Sequence, residues 1–216
     1  MDIEIFKNDC LISSKKLDKL FYRKDALHLA KSLIGKIFVK KEKDEILGGM
    51  IVETEAYGLE GDLSAHSNKG KTKRNAPMFE EGGILYVYFT YGSCYCANIV
   101  SGPKDSGEAV LIRAVEPLLG IEKMFERRKL EKNEKNIYKL CSGPGKFCEA
   151  FGIDLSYNYE DLTQEQIYLI EGRKISNQEI GVSARIGISK SKDFPWRFFL
   201  KNNKFVSKNK VVVYEN

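Results

Sequence analysis

Two strand-forming runs separated by three residues place the tightest limit on how this chain can fold. Residues 84–91 read Ile-Leu-Tyr-Val-Tyr-Phe-Thr-Tyr, and residues 95–101 follow shortly after Gly92-Ser93. β-Branched and aromatic side chains suit a strand, and a short glycine-containing connection suits a hairpin. The two runs are therefore expected to pair antiparallel. Tyr91 then stands at or beside the hairpin tip, where an aromatic has little core to bury in. It either packs on a neighbouring loop or acts as a wedge into something flat and apolar, such as a base stack.

The run Met50-Ile51-Val52-Glu53-Thr54-Glu55-Ala56-Tyr57 alternates with period two. Met50, Val52, Thr54 and Ala56 share a face small and apolar enough to bury. Glu53, Glu55 and Tyr57 share the other, either a solvated edge or the polar wall of a pocket. Surface acids are common, so the solvated face is the expectation. The spacing does not choose between Glu53 and Glu55. Ahead of this run, residues 36–41 read as a short strand, 43–45 as a turn, and Gly48-Gly49 as a bulge or turn. Beyond it, residues 109–115 form a strand ending at Pro117. Arg113 shares a face there with Leu111 and Val115. A buried arginine needs an anionic partner, and a carboxylate on a nearby strand would serve.

Residues 25–34 read as a helix capped by Asp25, with Ala26, Ala30, Leu33 and Ile34 on one stripe and Gly35 as its stop. Its histidine, His28, reads as structural. Residues 118–132 form a charged amphipathic helix with Ile121, Met124 and Phe125 inward. Cys141 to Lys146 make a turn that opens a helix running to Phe151 and stopping at Gly152. This turn lacks the P-loop pattern, which rejects a nucleoside triphosphate site. A helix start with a lysine can still hold one backbone phosphate. Residues 58–83 are a long loop carrying His66; loops of that length are usually functional or disordered. Residues 181–188 read as a strand-like run. Residues 195–200 read as a closing strand with one exposed arginine, and with Trp196 as core or anchor.

Charge and cysteine content narrow the partners. The net charge is +5, and Lys69, Lys71, Lys73 and Arg74 cluster without an acid among them. Such clusters suit a polyanion, though a lysine-rich surface explains the charge alone as well. Five cysteines without a C-x-x-C pair, and two histidines far apart, argue against a zinc site or a disulfide framework. No apolar run approaches the length of a membrane span. The N-terminus lacks a signal-peptide pattern. A reducing, cytoplasmic setting is expected, with one domain over residues 1–216.

The ordered set of motifs resembles one family, the alkyladenine (3-methylpurine) DNA glycosylases. The residues that carry the resemblance begin with Ile51 to Tyr57, His66-Ser67, Arg74-Asn75 and Met78-Phe79. Leu85 to Tyr88, Tyr91-Gly92, Asn98, Arg113-Ala114 and Glu116-Pro117 follow. Leu140 to Pro144 and Ala184 to Gly187 complete it. The likeness spans about residues 17–208. It implies a mixed α/β (α+β) domain: a curved antiparallel β-sheet flanked by helices, with a protruding β-hairpin. It implies a monomer that acts on double-stranded DNA containing damaged purines, flips the base out and hydrolyses its N-glycosidic bond, without cofactor, metal or membrane.

Carried over by position, the resemblance makes Glu55 the general base that activates water. Arg113 and the Ile186 carbonyl hold that water. Tyr57 and His66 stack on one face of the base and Tyr88 on the other, while Asn98 screens against normal guanine. Tyr91 is the intercalating wedge. Lys73, Arg74, Ser142 and Lys146 are the expected contacts to the DNA backbone. The alternatives are a non-catalytic module that binds damaged DNA and, more weakly, an enzyme of free purine nucleosides.

Overall fold

Strand β2 (Ile46–Tyr57) is twelve residues long and has a partner on both edges along much of its length. That explains why ten consecutive residues, 47–56, are buried. The computed structural model describes residues 15–90 and 92–207. Its other strands are β1 (Ile37–Lys41), β3 (Leu85–Thr90), β4 (Cys94–Ser101), β5 (Glu108–Leu119), β6 (Ile167–Ile170), β7 (Ile180–Ser183) and β8 (Arg197–Leu200). All pairings are antiparallel, in the order β3-β4-β5-β2-β1-β6. β8 pairs with β2 beyond the end of β1 and carries β7 on its other side.

Five helices flank the sheet among the described residues: α1 (Lys19–Tyr22), α2 (Ala26–Leu33), α3 (Ile121–Arg128), α4 (Glu134–Ile137) and α5 (Pro144–Phe151). The Asp25 carboxylate caps α2 by accepting from the His28 N–H at 2.9 Å. The exposed His28 ring lies 2.6 Å from the same carboxylate, so this histidine is a structural one. Ala26, Leu29, Ala30 and Leu33 bury against the sheet, and the Thr54 hydroxyl donates to the Ala30 carbonyl at 2.9 Å. The apolar face of β2 thus packs as its spacing predicts. Gly35 ends the turn at φ +89°, where an added Cβ would stand 2.5 Å from the Arg173 carbonyl. On α5, Phe147 and Phe151 pack edge-on against Phe38 of β1.

Three boundaries differ from the sequence reading. β5 continues past Pro117 to Leu119. A proline is tolerated there because β4 covers β5 only as far as Leu111, so the missing N–H faces no strand. Helix α3 is accordingly shorter than residues 118–132, bounded by left-handed Gly120 and Lys129. The run 181–188 is a strand only to Ser183; residues 184–190 then leave the sheet, and most of them line a cavity. The register shift anticipated at Gly48-Gly49 is present, inside β2 rather than before it.

Candidate active site

Glu53 and Glu55 were expected on a solvated face, and both are fully buried. Side chains from the flanking strands, Arg113 on β5 and Arg197 on β8, meet the carboxylates on that face, and Ile186 and Ser207 from late in the chain close over it. Strand periodicity reports which residues share a face, not what later covers it. The Arg113 Nε donates to Glu53 Oε1 at 3.2 Å and its Nη1 to Glu55 Oε2 at 3.3 Å. The carboxylate on a nearby strand is therefore two carboxylates. Arg197, read as the exposed arginine of the closing strand, is 1% exposed. Its Nε donates to Glu53 Oε1 at 2.7 Å and its Nη1 to Ser183 Oγ at 2.9 Å. Two buried acids and two buried arginines balance in charge, which burial demands.

The two carboxylates are engaged differently. Glu53 also accepts from the Ser207 N–H at 2.7 Å and the Ser207 hydroxyl at 2.8 Å. Glu55 Oε1 accepts from the Ile186 N–H at 2.7 Å, and Oε2 from the Tyr57 hydroxyl at 2.8 Å as well as from Arg113. A carboxylate offers about four acceptor positions, two on each oxygen. Three are filled on Glu55, and the open one lies on Oε1. Burial pushes the Glu55 carboxyl above its ordinary range, against the opposing pull of Arg113, Ile186 and Tyr57.

A cavity of about 520 Å³ opens above this floor. That is the size of a small-molecule site. Tyr57, Arg113 and Ile186, the three partners of Glu55, all line it, so the carboxylate sits one side-chain layer beneath. His66, Tyr86, Tyr88 and Asn98 line it too. The His66 Nδ1 lies 2.8 Å from the Tyr86 hydroxyl, and its ring meets Tyr88 edge-on at 4.5 Å. Partial burial and then Arg74 hold the imidazole below its ordinary pKa. In edge-on contact, His66 and Tyr88 share one wall of the cavity, whereas the sequence reading put them on opposite faces of a base. Asn98 is buried, its Nδ2 donating to the Tyr86 carbonyl at 3.1 Å.

A family model for methylpurine-DNA glycosylases matches residues 20–204, which include all of these side chains except Ser207. The chain belongs to the methylpurine-DNA glycosylase family. It is 44% identical over 200 residues to a protein of Clostridium beijerinckii, covering 89% of this chain and 98% of the relative. It is 46% identical over 193 residues to one of Carboxydothermus hydrogenoformans, with the same coverages. A Francisella tularensis protein is 44% identical over 189 residues, covering 86% and 95%. The names of all three make them candidate 3-methyladenine DNA glycosylases. The protein is thus an enzyme, a DNA glycosylase, which sets aside the non-catalytic module.

In this glycosylase Tyr57 has a backing that the sequence reading missed. The Arg185 guanidinium stands 4.4 Å from the Tyr57 ring centroid and 4.9 Å from that of Trp196, which stacks on Phe194 at 4.2 Å. Arg185 is fixed by a two-pronged pair with Asp62, both contacts 2.7 Å, and by the Ala56 carbonyl at 2.9 Å. Burial works against ionisation of Asp62, but Arg185 and the Gly58 and Ser64 amides outweigh it and hold its pKa low. Residues 62 and 185 lie too far apart in sequence for any local pattern to mark them as partners.

Of the expected backbone contacts, Lys73 and Arg74 are exposed, and the Arg74 Nη2 lies 3.4 Å from the Phe89 carbonyl. Ser142 and Lys146 line a second groove on the other side of Arg113. Tyr91 lies outside the described residues. Among the described residues no group of three or more histidine, cysteine or acidic side chains is placed to hold a metal ion. No helix there is long and apolar enough to cross a membrane.

Proposed function

We propose that the enzyme flips alkylated or deaminated purines out of double-stranded DNA and cleaves the N-glycosidic bond with a water activated by Glu55, leaving an abasic site. The candidate lesions are 3-methyladenine, 7-methylguanine, hypoxanthine and ethenoadenine. The observation that carries this reading is the Glu55 carboxylate beneath an aromatic cavity with a single acceptor position left open. Water bound at Oε1 gives its proton to the carboxylate as its oxygen bonds to C1′ of the deoxyribose. The base leaves with the electrons of the glycosidic bond. Charge develops on the sugar as it departs, and a nearby carboxylate stabilises that charge. General base catalysis supplies roughly 10²–10⁴-fold.

The remaining groups have roles that follow from their positions. Arg113 ties Glu55 to Glu53 and so holds it still. Tyr57 on one side, with His66 and Tyr88 on the other, takes the base between electron-rich ring faces. A cationic alkylated purine gains further from them. Unstacking a base costs a few kcal/mol, less at a damaged one, and a wedge at Tyr91 offsets part of that.

Release of free base from duplexes carrying one lesion each, followed by chromatography, tests the reading. Glu55→Gln should bind a hypoxanthine or ethenoadenine duplex yet release nothing. Release undiminished by that substitution would remove Glu55 as the base.

A further inference from the structure

Arg113 lines two cavities. The second, about 840 Å³, opens between α4, the turn at Ser142 and Gly143, and residues 204–207. Lys135, Lys139, Lys146 and Lys204 stand in its walls, all four exposed, and no carboxylate lines it. Several lysines elsewhere have acids beside them, Lys36 with Glu171 at 2.6 Å, Lys41 with Glu165 at 3.1 Å and Lys123 with Glu126 at 2.8 Å, while what sets the groove apart is four lysines together with no acid in its lining. None of the four groove lysines forms an ion pair with an acid among the described residues. Lys139 instead donates to the Asn136 side chain at 2.9 Å, and Lys204 stands 5.6 Å from the Tyr138 ring centroid.

Four uncompensated positive charges around one groove repel each other unless an anion enters. A single small anion has room to meet only part of so large a set. A polyanion with charges at regular intervals meets all of it. The groove adjoins the base cavity: Arg113 lines both, and Pro144 lines the base cavity where its neighbour Gly143 lines the groove. Arg74 borders Tyr88 in the other cavity, 5.7 Å from the ring centroid. A strand drawn through a flipped nucleotide has to leave the cavity on both sides of it.

We propose that this groove is a docking track for the DNA backbone on one side of the lesion, with Lys135, Lys139 and Lys204 as phosphate contacts. The proposal rests on the reading of the first cavity as the one that takes the flipped base. The three lysines extend the contact surface well beyond Lys146, onto α4 and the segment after β8. Their contribution is insensitive to base sequence, because phosphates position a protein without specifying a site.

The test is duplex binding by fluorescence anisotropy across a range of KCl concentrations, for the full chain and for the triple variant Lys135→Ala, Lys139→Ala, Lys204→Ala. Removing one phosphate contact makes the plot of log affinity against log salt shallower by about 1. The triple variant should therefore lose about 3 from the slope. A control triple, Lys31→Ala, Lys43→Ala, Lys174→Ala, removes the same charge from residues that line neither cavity and should leave the slope nearly unchanged. An unchanged slope in the first variant, or an equal loss in both, overturns the proposal. So does displacement of the duplex by pyrophosphate at concentrations too low to alter ionic strength, which would make the groove a small-anion site. Base release by the wild-type protein is measured in parallel. Its absence would sink the reading of the first cavity, whereas the slopes alone decide the groove.

Discussion

Replacing Glu53 and Glu55 by glutamine, one at a time, should give opposite outcomes although the residues sit two apart on one strand face. Glu53 accepts from both buried arginines and from two Ser207 groups. Glu53→Gln puts an NH₂ donor among donors and takes from Arg197 its carboxylate, leaving it the Ser183 hydroxyl. Breaking a buried ion pair from one side costs about 3–5 kcal/mol. In Glu55→Gln the amide oxygen keeps the Ile186 N–H, and the Tyr57 hydroxyl can turn to accept from the new NH₂. The hydrogen bond from Arg113 Nη1, at 3.3 Å, is the one that breaks, and Arg113 retains Glu53. That loss is partly offset because a buried carboxylate need no longer be kept charged, so the net cost is roughly 1 kcal/mol. Urea unfolding followed by circular dichroism compares the two directly. Glu53→Gln should be the less stable by about 2 kcal/mol or more, while Glu55→Gln loses base release with little change in midpoint. Equal stabilities, or Glu53→Gln the more stable, would refute the division into a structural and a reactive carboxylate.

Three further outcomes are expected. With the Glu55 pKa raised by burial, kcat/KM should climb with pH through a limb lying above the ordinary carboxylate value of about 4.3, because the base works only when deprotonated. The native state then holds a proton that the unfolded chain has released, so stability falls with rising pH across the same window, and Glu55→Gln should abolish that fall. A limb at or below the ordinary value, seen in the pH profile of base release, contradicts the burial argument. Asp62→Asn should cost about 3–5 kcal/mol in unfolding free energy and slow base release, since it leaves the Arg185 guanidinium behind Tyr57 without its carboxylate. A variant with unchanged stability would show that the Asp62–Arg185 pair does not hold the wall.

Much of the sheet was legible because strand signals are local. The turn at Gly92-Ser93 announces the β3–β4 hairpin, and Asp25 and Gly152 mark helix ends through cap chemistry that needs no tertiary partner. The charge quartet was not legible. Glu53 and Arg197 meet because β8 returns across the whole chain to the edge of β2, and neither alternation nor composition encodes that return. Arg113 was the exception: its apolar neighbours Leu111 and Val115 made it a buried cation in need of an acid. The catalytic assignment itself came from the resemblance to a known family, because spacing alone left Glu53 and Glu55 equivalent.

What separates them is how fully their oxygens are taken up. Four donors reach Glu53, one from each buried arginine and two from Ser207, so the fold consumes it. Glu55 is held by three groups that also line the cavity, and they are unevenly divided between its oxygens. Tyr57 and Arg113 close Oε2, so a water that surrenders its proton must approach Oε1, on the side of Ile186. The segment 184–190 does three things together: Arg185 backs the tyrosine, the Ile186 amide orients the carboxylate, and residues 186–190 form part of the cavity wall. Displacing that segment would disturb the cavity wall, Tyr57 and the carboxylate at once, and the buried Asp62–Arg185 pair at its root holds it in place.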